Sequence, residues 1–357
     1  MLNLKTFCIT DFFIKMNDIK LDFADVLIKP RHTLLKSRKE VNLSREFEFK
    51  HSEMELSNIP IIAANMDTVG TMDMFKSLYK HNIMTFFHKF LSEDEFVENK
   101  DLLEENQDHF AVTIGLGEPE LNRLLHLSTL FSFKVICIDI ANGYMDSLVD
   151  FCCRVRELFP DNIIVAGNVV CAEMTRKLIL EGEVDVVKVG IGGGSACTTR
   201  IKTGVGMPQL SAVLECAEAA HELGAHVISD GGITCPGDVA KAFGAGADFV
   251  MIGGQFAGHD QNPGELIEED GQKYKLFYGM SSSHAMHKNY NGVERYRTSE
   301  GRCLRIKYKG DVNETVLDFL GGLRSTCTYV DCKELEEISD FVDFVRVGHQ
   351  FNSSLTV

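Results

Sequence analysis

The stretch Val187–Gln209, VKVGIGGGSACTTRIKTGVGMPQ, gathers the residue types from which covalent catalysis is built. A run rich in valine and isoleucine, Val184–Ile191, reads as a buried strand. It ends in Gly192, Gly193 and Gly194, which leave the backbone unshielded, so a ligand or cation can approach its N–H and C=O groups. Cys197 follows, then Thr198, Thr199 and Arg200. A thiol beside hydroxyls and a guanidinium suits a nucleophile whose thiolate form is favoured. Taken alone, the same letters also describe a tight turn with a passive small side chain. The position of that turn in the fold separates the two readings.

The elements around it are short β-rich runs alternating with helix-length segments. The runs are Ile59–Ala64, Met84–His88, Phe110–Ile114, Lys134–Ile140, Ile163–Gly167, Val184–Val189, His226–Ser229 and Asp248–Ile252. Helical periodicity occupies Glu93–Glu105, Met145–Leu158, Ala172–Glu181, Met207–Leu223 and Gly237–Phe243. Start signals stand at Ser92, at Pro208 and at the Cys-Pro-Gly-Asp run 235–238. Eight strands with intervening helices predict an α/β protein folded as a closed (β/α)8 TIM barrel. A doubly wound open sheet has the same periodicity and stays open as the alternative.

In such a barrel the active site lies at the C-terminal strand ends. Four ends carry polar or glycine-rich signatures: Asp139-Ile140-Ala141-Asn142-Gly143, the Cys197 stretch, Asp230-Gly231-Gly232, and Gly253-Gly254. A phosphate site in this fold often uses the loops after strands seven and eight, where bare backbone N–H groups can close on the anion. The two diglycine steps fall at those ends, so a phosphate-bearing ligand is expected beside Cys197. Asp230 suits recognition of ribose hydroxyls as an ionised acceptor. Lys89 and Asp139, also at strand ends, are candidates for a ligand role or, more plainly, for a solvated lysine and a helix cap.

The chain has 357 residues, 45% of them hydrophobic and 25% charged, ordinary values for a globular protein. Its net charge of −16 argues against nucleic acid polymers and anionic membranes as partners. A small anion held by backbone N–H groups is compatible with it. Eleven scattered cysteines without a C-x-x-C pair, and twelve histidines without H-E-x-x-H, indicate neither a disulfide framework nor a zinc site. A reducing, cytoplasmic setting fits best. No apolar run reaches the roughly 18 residues of a spanning helix. The apolar segment before Met16 lacks a basic cluster and is interrupted by Asp11, so it does not read as a signal peptide.

Residues 1–15 are expected to be an N-terminal extension, and residues 16–357 one barrel domain with a lead-in over 16–58. The long polar stretch within 255–330 holds two strand-like pieces, Lys273–Tyr278 and Cys303–Tyr308. A connection of that length without function is uncommon, so a flap over the barrel mouth is expected at about 255–330.

These motifs resemble those of the inosine monophosphate dehydrogenase and guanosine monophosphate reductase family. GIGGGSACTTR with KTGVGMPQLSA is similar to its catalytic loop, SDGGI with GDVAKAFGAGADFVMIGG to its phosphate-binding half, and FYGMSS, YRTSEG and YKGDV to its flap. The resemblance runs from about Leu21 to about Gly348. Asp-Gly-Gly and Gly-Gly alone would also admit flavin-dependent barrels. Within the family the chain resembles the reductase branch. The dehydrogenase usually carries a regulatory insert soon after the second strand, and any independent domain needs about 50 residues. Here only Phe90–Phe110 is available, enough for one helix. LDFADVLIKP, ANMDTVG, HKFLS, DIANGY and GGLRSTCTYV also look reductase-like, as does the YRTSEG context of Tyr296 and Arg297. An IMP dehydrogenase lacking its insert is the alternative.

The resemblance implies NADPH-dependent reductive deamination of GMP to IMP with release of ammonia, through a covalent thioimidate on Cys197. It makes Thr199 and Glu300 the proton-handling pair. It implies that Asp230, Gly231, Gly232, Gly253 and Gly254 hold ribose and phosphate. Gly279, Met280, Ser281 and the run Arg297, Thr298, Ser299, Glu300 and Gly301 would close over the base, with Met280 touching both ligands. For the dinucleotide it implies Ser37, Arg38, Lys89, Asp139, Ile140, Ala141, Ile191, Gly192, Tyr296, Arg297, Ser325, Thr326, Cys327 and Thr328. Arg38 and Lys89 are plausible partners for the 2′-phosphate. Gly192, Gly194, Cys197 and Arg200 match the family's potassium loop, and the family implies a homotetramer. One departure is Gly193, where the family commonly has proline; the extra backbone freedom is expected to loosen this loop.

Overall fold

The computed structural model describes residues 19–290 and 299–348. Eight parallel strands run in chain order around a barrel. They are β1 (Leu56–Ala63), β2 (Ile83–Phe86), β3 (Phe110–Ile114), β4 (Val135–Asp139), β5 (Ile163–Val169), β6 (Val186–Val189), β7 (His226–Asp230) and β8 (Phe249–Ile252). β8 pairs in parallel with β1, Val250 opposite Ile61 and Ile252 opposite Ala63. That pairing closes the sheet and excludes the open, doubly wound alternative. The expected extension, 1–15, and the candidate site residues Tyr296, Arg297 and Thr298 lie outside the described residues.

The strands are apolar on both faces because both faces are buried. Ile62, Phe86, Cys137, Val165, Val186, Ile228 and Met251 form one buried cluster, the barrel interior. Their neighbours Ile61, Ile136, Ile164, Val187, Val227 and Val250 belong to the cluster beneath the outer helices. At the N-terminal end, Arg45–Phe47 runs antiparallel to β1, and Phe47 stacks on Phe249 with ring centroids 4.3 Å apart. Aromatic packing therefore plugs this end, and the C-terminal end is left for ligands.

The helices follow their local signals. Ser92 opens a helix by a capping box with Glu95. The expected single helix over 93–105 is broken into Glu93–Glu98 and Lys100–Glu105 at Asn99, whose amide donates to Glu95 O at 2.7 Å. A side chain that bonds its own backbone competes with the helix ladder. The stretch 255–330 is not uniform. Ile267–Glu269, Gln272–Tyr278 and Cys303–Lys307 form an antiparallel three-stranded sheet, with the helix Ser283–Tyr290 between its last two strands. The end of the stretch is a 19-residue helix, Val312–Val330. Its buried Val312, Val316, Phe319, Leu323, Cys327 and Val330 lie on one face at helical spacing. That face packs against the helices Pro236–Gly244 and Met72–Leu78 and completes the ring around the barrel.

Below the barrel, buried Asp248 joins the ends of β7 and β8. His221 Nε2 is 2.9 Å from its Oδ2, His226 Nδ1 is 3.2 Å from its Oδ1, and Val227 N donates to Oδ2 at 2.9 Å. Burial opposes ionisation of this carboxyl, but bonds to His221 and His226 outweigh it and hold the pKa below the usual carboxylate range. A depressed carboxyl stabilises the fold above its unfolded pKa of about 4 and loses that contribution as pH falls. Asp248→Asn is therefore expected to cost about 3 kcal/mol near pH 6 in urea denaturation. The gap from wild type should narrow below about pH 4. A gap unchanged down to about pH 3 would contradict this account.

Candidate active site

β6 ends at Val189, and the chain turns through glycines into the short helix Thr199–Thr203. Cys197 stands in that turn, partly exposed. Its Sγ is 3.2 Å from Thr199 Oγ1 and accepts Thr199 N–H at 3.5 Å. The Thr199 hydroxyl donates to Glu300 Oε2 at 2.8 Å. Glu300 arrives from the returning arm of the flap, which pairs with the Cys197 turn backbone to backbone. Cys197 and Gly301 form an antiparallel bridge. Thr198 N donates to Glu300 O at 2.7 Å, and Arg302 N to Ala196 O at 2.9 Å. The Arg302 guanidinium adds two bonds to Ser195 O, at 3.0 and 2.8 Å. Thiol, hydroxyl and carboxylate thus form one hydrogen-bonded line.

That line opens on a cavity of about 760 Å³ at the C-terminal ends of the strands. The size lies within the roughly 300–1,000 Å³ of small-molecule sites. Asp230, Gly231, Gly232, Gly253, Gly254, Gly279, Met280 and Ser281 line it together with Cys197, Thr199 and Glu300. The thiol and the two diglycine ends therefore share one space. Gly232 N donates to Gly193 O at 3.0 Å, so the loops after β6 and β7 are directly joined. Gly231 has φ 108°, and a Cβ there would lie 3.2 Å from Gly193 C. Only glycine fits that junction without strain. Ser195, which the sequence reading did not single out, hangs over β8's end: a Cβ on Gly254 would lie 2.6 Å from its Oγ.

Beneath the cavity sits a charge cluster the sequence reading also missed. Lys188 is the one charged residue of β6, and its side chain is 4% exposed. Its Nζ lies 2.5 Å from Asp139 Oδ1 and 3.0 Å from Asp230 Oδ2. Burial alone would lower its pKa, but the two carboxylates outweigh it, raise the pKa and keep the ammonium charged. Asn168 Nδ2 donates to the same Asp230 oxygen at 2.8 Å and to Gly190 O at 2.8 Å. Asp230 Oδ2 is thus occupied from within, and Oδ1 is the oxygen left to a ligand. Asn168 Oδ1 is buried without a partner, a further polar atom fitted to a bound group. A lone lysine inside the otherwise apolar strand VVKV, Val186–Val189, was the available signal.

Of the residues expected at a dinucleotide, Lys89, Asp139, Ile140, Ala141, Ile191, Gly192 and Met280 line this cavity. Ser37, Arg38, Ser325, Thr326, Cys327 and Thr328 do not line it. The helix Val312–Val330, which carries the last four of them, touches the turn Arg38–Glu40. Ser325, Thr326 and Thr328 hydroxyls bond back to carbonyls of their own helix, and Cys327 is buried. Arg200 braces the Cys197 turn, its Nη1 3.0 Å from Asp22 Oδ2 and its Nη2 donating to Met207 O at 2.5 Å. Gly192 has φ 82°, and a Cβ there would lie 2.6 Å from Arg200 Cγ. Gly194 O accepts Cys197 N–H at 3.0 Å. Among the described residues no group of three or more His, Cys, Asp or Glu gathers as a metal site. The expected cation set instead offers backbone carbonyl oxygens, the donors a hard cation takes.

Residues 20–353 match the family described as the IMP dehydrogenase / GMP reductase domain. Curated relatives agree along nearly the whole chain. "GMP reductase 2" of Homo sapiens is 55% identical over 341 residues, covering 94% of this chain and 97% of that protein. "GMP reductase" of Onchocerca volvulus is 55% identical over 340 residues, covering 94% and 93%. "GMP reductase" of Caenorhabditis elegans is 54% identical over 338 residues, covering 94% of each. With a barrel whose thiol loop, diglycine ends and flap carboxylate converge on one cavity, the chain belongs to the IMP dehydrogenase / GMP reductase family.

Proposed function

We propose that this protein is a GMP reductase, which converts GMP, NADPH and a proton into IMP, ammonia and NADP+. The observation that carries the reading is the line Cys197–Thr199–Glu300 opening on a cavity that also holds two diglycine strand ends. The curated relatives named GMP reductase support it.

In this reading the purine nucleotide is anchored by its phosphate at the backbone N–H groups around Gly231–Gly232 and Gly253–Gly254. Asp230 accepts from the ribose hydroxyls through Oδ1, while Lys188 and Asn168 fix its other oxygen. Cys197 Sγ bonds to carbon 2 of the base as the bond to the exocyclic nitrogen breaks. The nitrogen takes its proton from the Thr199 hydroxyl, which is re-protonated by Glu300 once that carboxylate has taken up the proton the reaction consumes, general acid catalysis worth about 10²–10⁴-fold. A thioimidate is then attached to Cys197, and one hard displacement has become two easier steps. Bound NADPH supplies the hydride that reduces carbon 2. Cys197 leaves as thiolate, and IMP is released. Lys89, Asp139, Ile140, Ala141 and Met280 line the cavity and would hold the dinucleotide, with Lys89 a partner for its 2′-phosphate. The carbonyls of Gly192 and Gly194, with Cys197 and Arg200, would hold a monovalent cation, expected to be potassium, and so fix the turn that carries the thiol.

Ser37, Arg38 and Ser325–Thr328 do not line their own chain's cavity, which favours an assembly in which they reach the far end of a neighbour's dinucleotide. A homotetramer meets that need. No helix among the described residues is long and apolar enough to cross a membrane, and the described cysteines are free thiols, which supports a cytoplasmic setting.

Mixing the protein with GMP and NADPH is expected to lower the absorbance of reduced nicotinamide. Absorbance that instead rises with IMP and NAD+ would overturn the reading in favour of the dehydrogenase. Cys197→Ala should lower kcat by at least about 10⁴-fold, and Glu300→Gln by about 10²–10⁴-fold. Lys188→Met strands two carboxylates and should lower kcat/KM by about 10- to 100-fold, the loss of a charged hydrogen bond. Wild-type kcat/KM in Lys188→Met would show that the cluster does not orient Asp230.

A further inference from the structure

The loop after β1 carries Asp67, a side chain 1% exposed that has no part in the thiol line or the diglycine cradle. Two of its side-chain partners come from the flap. Tyr278 OH, at the end of the strand Gln272–Tyr278, donates to Asp67 Oδ2 at 3.1 Å. Lys288 Nζ, on the helix Ser283–Tyr290, lies 3.3 Å from the same oxygen and 3.2 Å from Tyr278 OH. Asp67 N, meanwhile, donates to Met280 Sδ at 3.3 Å. One residue of the barrel rim thus grips the flap at its strand end, its helix and the turn between them.

A carboxylate removed from water is costly unless charged or hydrogen-bonded partners accompany it. Lifting the flap takes Tyr278 and Lys288 away from Asp67 and removes the compensation these two provide. The neighbouring imidazole of His88 does not replace them, because burial pushes its pKa down to about 4 in spite of Asp67, so it is neutral near pH 7. Closure of the flap is therefore tied to Asp67, and closure sets Met280 against the cavity.

We propose that Asp67 is a positioning residue, a buried carboxylate that latches the flap through Tyr278 and Lys288 and so pre-sets Met280 for both ligands. Its kinetic consequence rests on the function proposed above; its structural consequence does not. When a fraction of molecules has the flap open, apparent affinity falls by that fraction, while saturating ligands pull the flap shut again. Latch variants should therefore raise KM for GMP and for NADPH with kcat nearly unchanged.

The test compares wild type, Lys288→Met, Asp67→Asn and the double variant, each as the full chain. Lys288 is half-exposed, so its replacement leaves folding intact, which thermal denaturation checks. The first readout, amide hydrogen exchange without ligands, does not depend on activity. Exchange over residues 276–288 should rise about 5- to 10-fold in each single variant, with β1–β8 unchanged. The second is kinetic: both KM values should rise about 5- to 10-fold, and the double variant should be no worse than the worse single one. Unchanged exchange over 276–288 in Lys288→Met overturns the latch whatever the enzyme's activity. Altered exchange with unchanged KM values, or KM effects that multiply in the double variant, overturns its role in positioning Met280. A wild type inactive on GMP with the exchange result as expected would sink the proposed function and leave the latch standing.

Discussion

The backbone pairing that lays residues 300–302 along residues 196–198 is the constraint on which the site depends. A thiol on a glycine-rich turn has many orientations and no proton partner. The bonds from Thr198 N to Glu300 O and from Arg302 N to Ala196 O turn that loose segment into one edge of a small ladder. They also deliver the carboxylate. Glu300 lies 101 positions beyond Thr199, yet its Oε2 meets the Thr199 hydroxyl at 2.8 Å because the backbones are in register. A flap with its own three-stranded sheet can hold that register, whereas an unstructured loop would lose it to conformational entropy.

The second requirement is electrostatic. The chain is strongly acidic, and the cavity adds Asp139, Asp230 and Glu300. An anionic nucleotide is acceptable there only if local groups reverse the sign. Glycine backbone at two strand ends offers N–H dipoles without side chains in the way. Lys188 offsets the carboxylates from below without competing for the ligand, since its own ammonium is already committed to Asp139 and Asp230. The floor of the cavity is thus rigid and paired, and its directional capacity faces upward.

Much of the architecture was legible in the sequence. The eight strands stand out because each is a short apolar run bounded by turn residues, and the diglycine ends mark the face that binds. Three things were not legible, each for a physical reason. Lys188 reads as an ordinary lysine until closure of the barrel brings 139 and 230 to either side of it. Val312–Val330 falls inside the segment expected to be a flap, and its apolar residues become a face only at helical spacing. Asp67 lies in ANMDTVG, which stands out only as a motif of resemblance; its partners Tyr278 and Lys288 come from more than 200 positions away and meet it only once the flap is folded. Ser37, Arg38 and Ser325–Thr328 show the converse limit, since residues singled out by resemblance need not face the cavity of their own chain.

The central claim is a bond between Cys197 Sγ and carbon 2 of a purine nucleotide. Intact-mass spectrometry of the protein quenched during turnover with GMP, followed by peptide mapping, tests it directly. The account predicts a nucleotide adduct on the peptide that carries Cys197, absent from Cys197→Ala. An enzyme that turns over GMP with no adduct there, or an adduct that survives in Cys197→Ala, would contradict it.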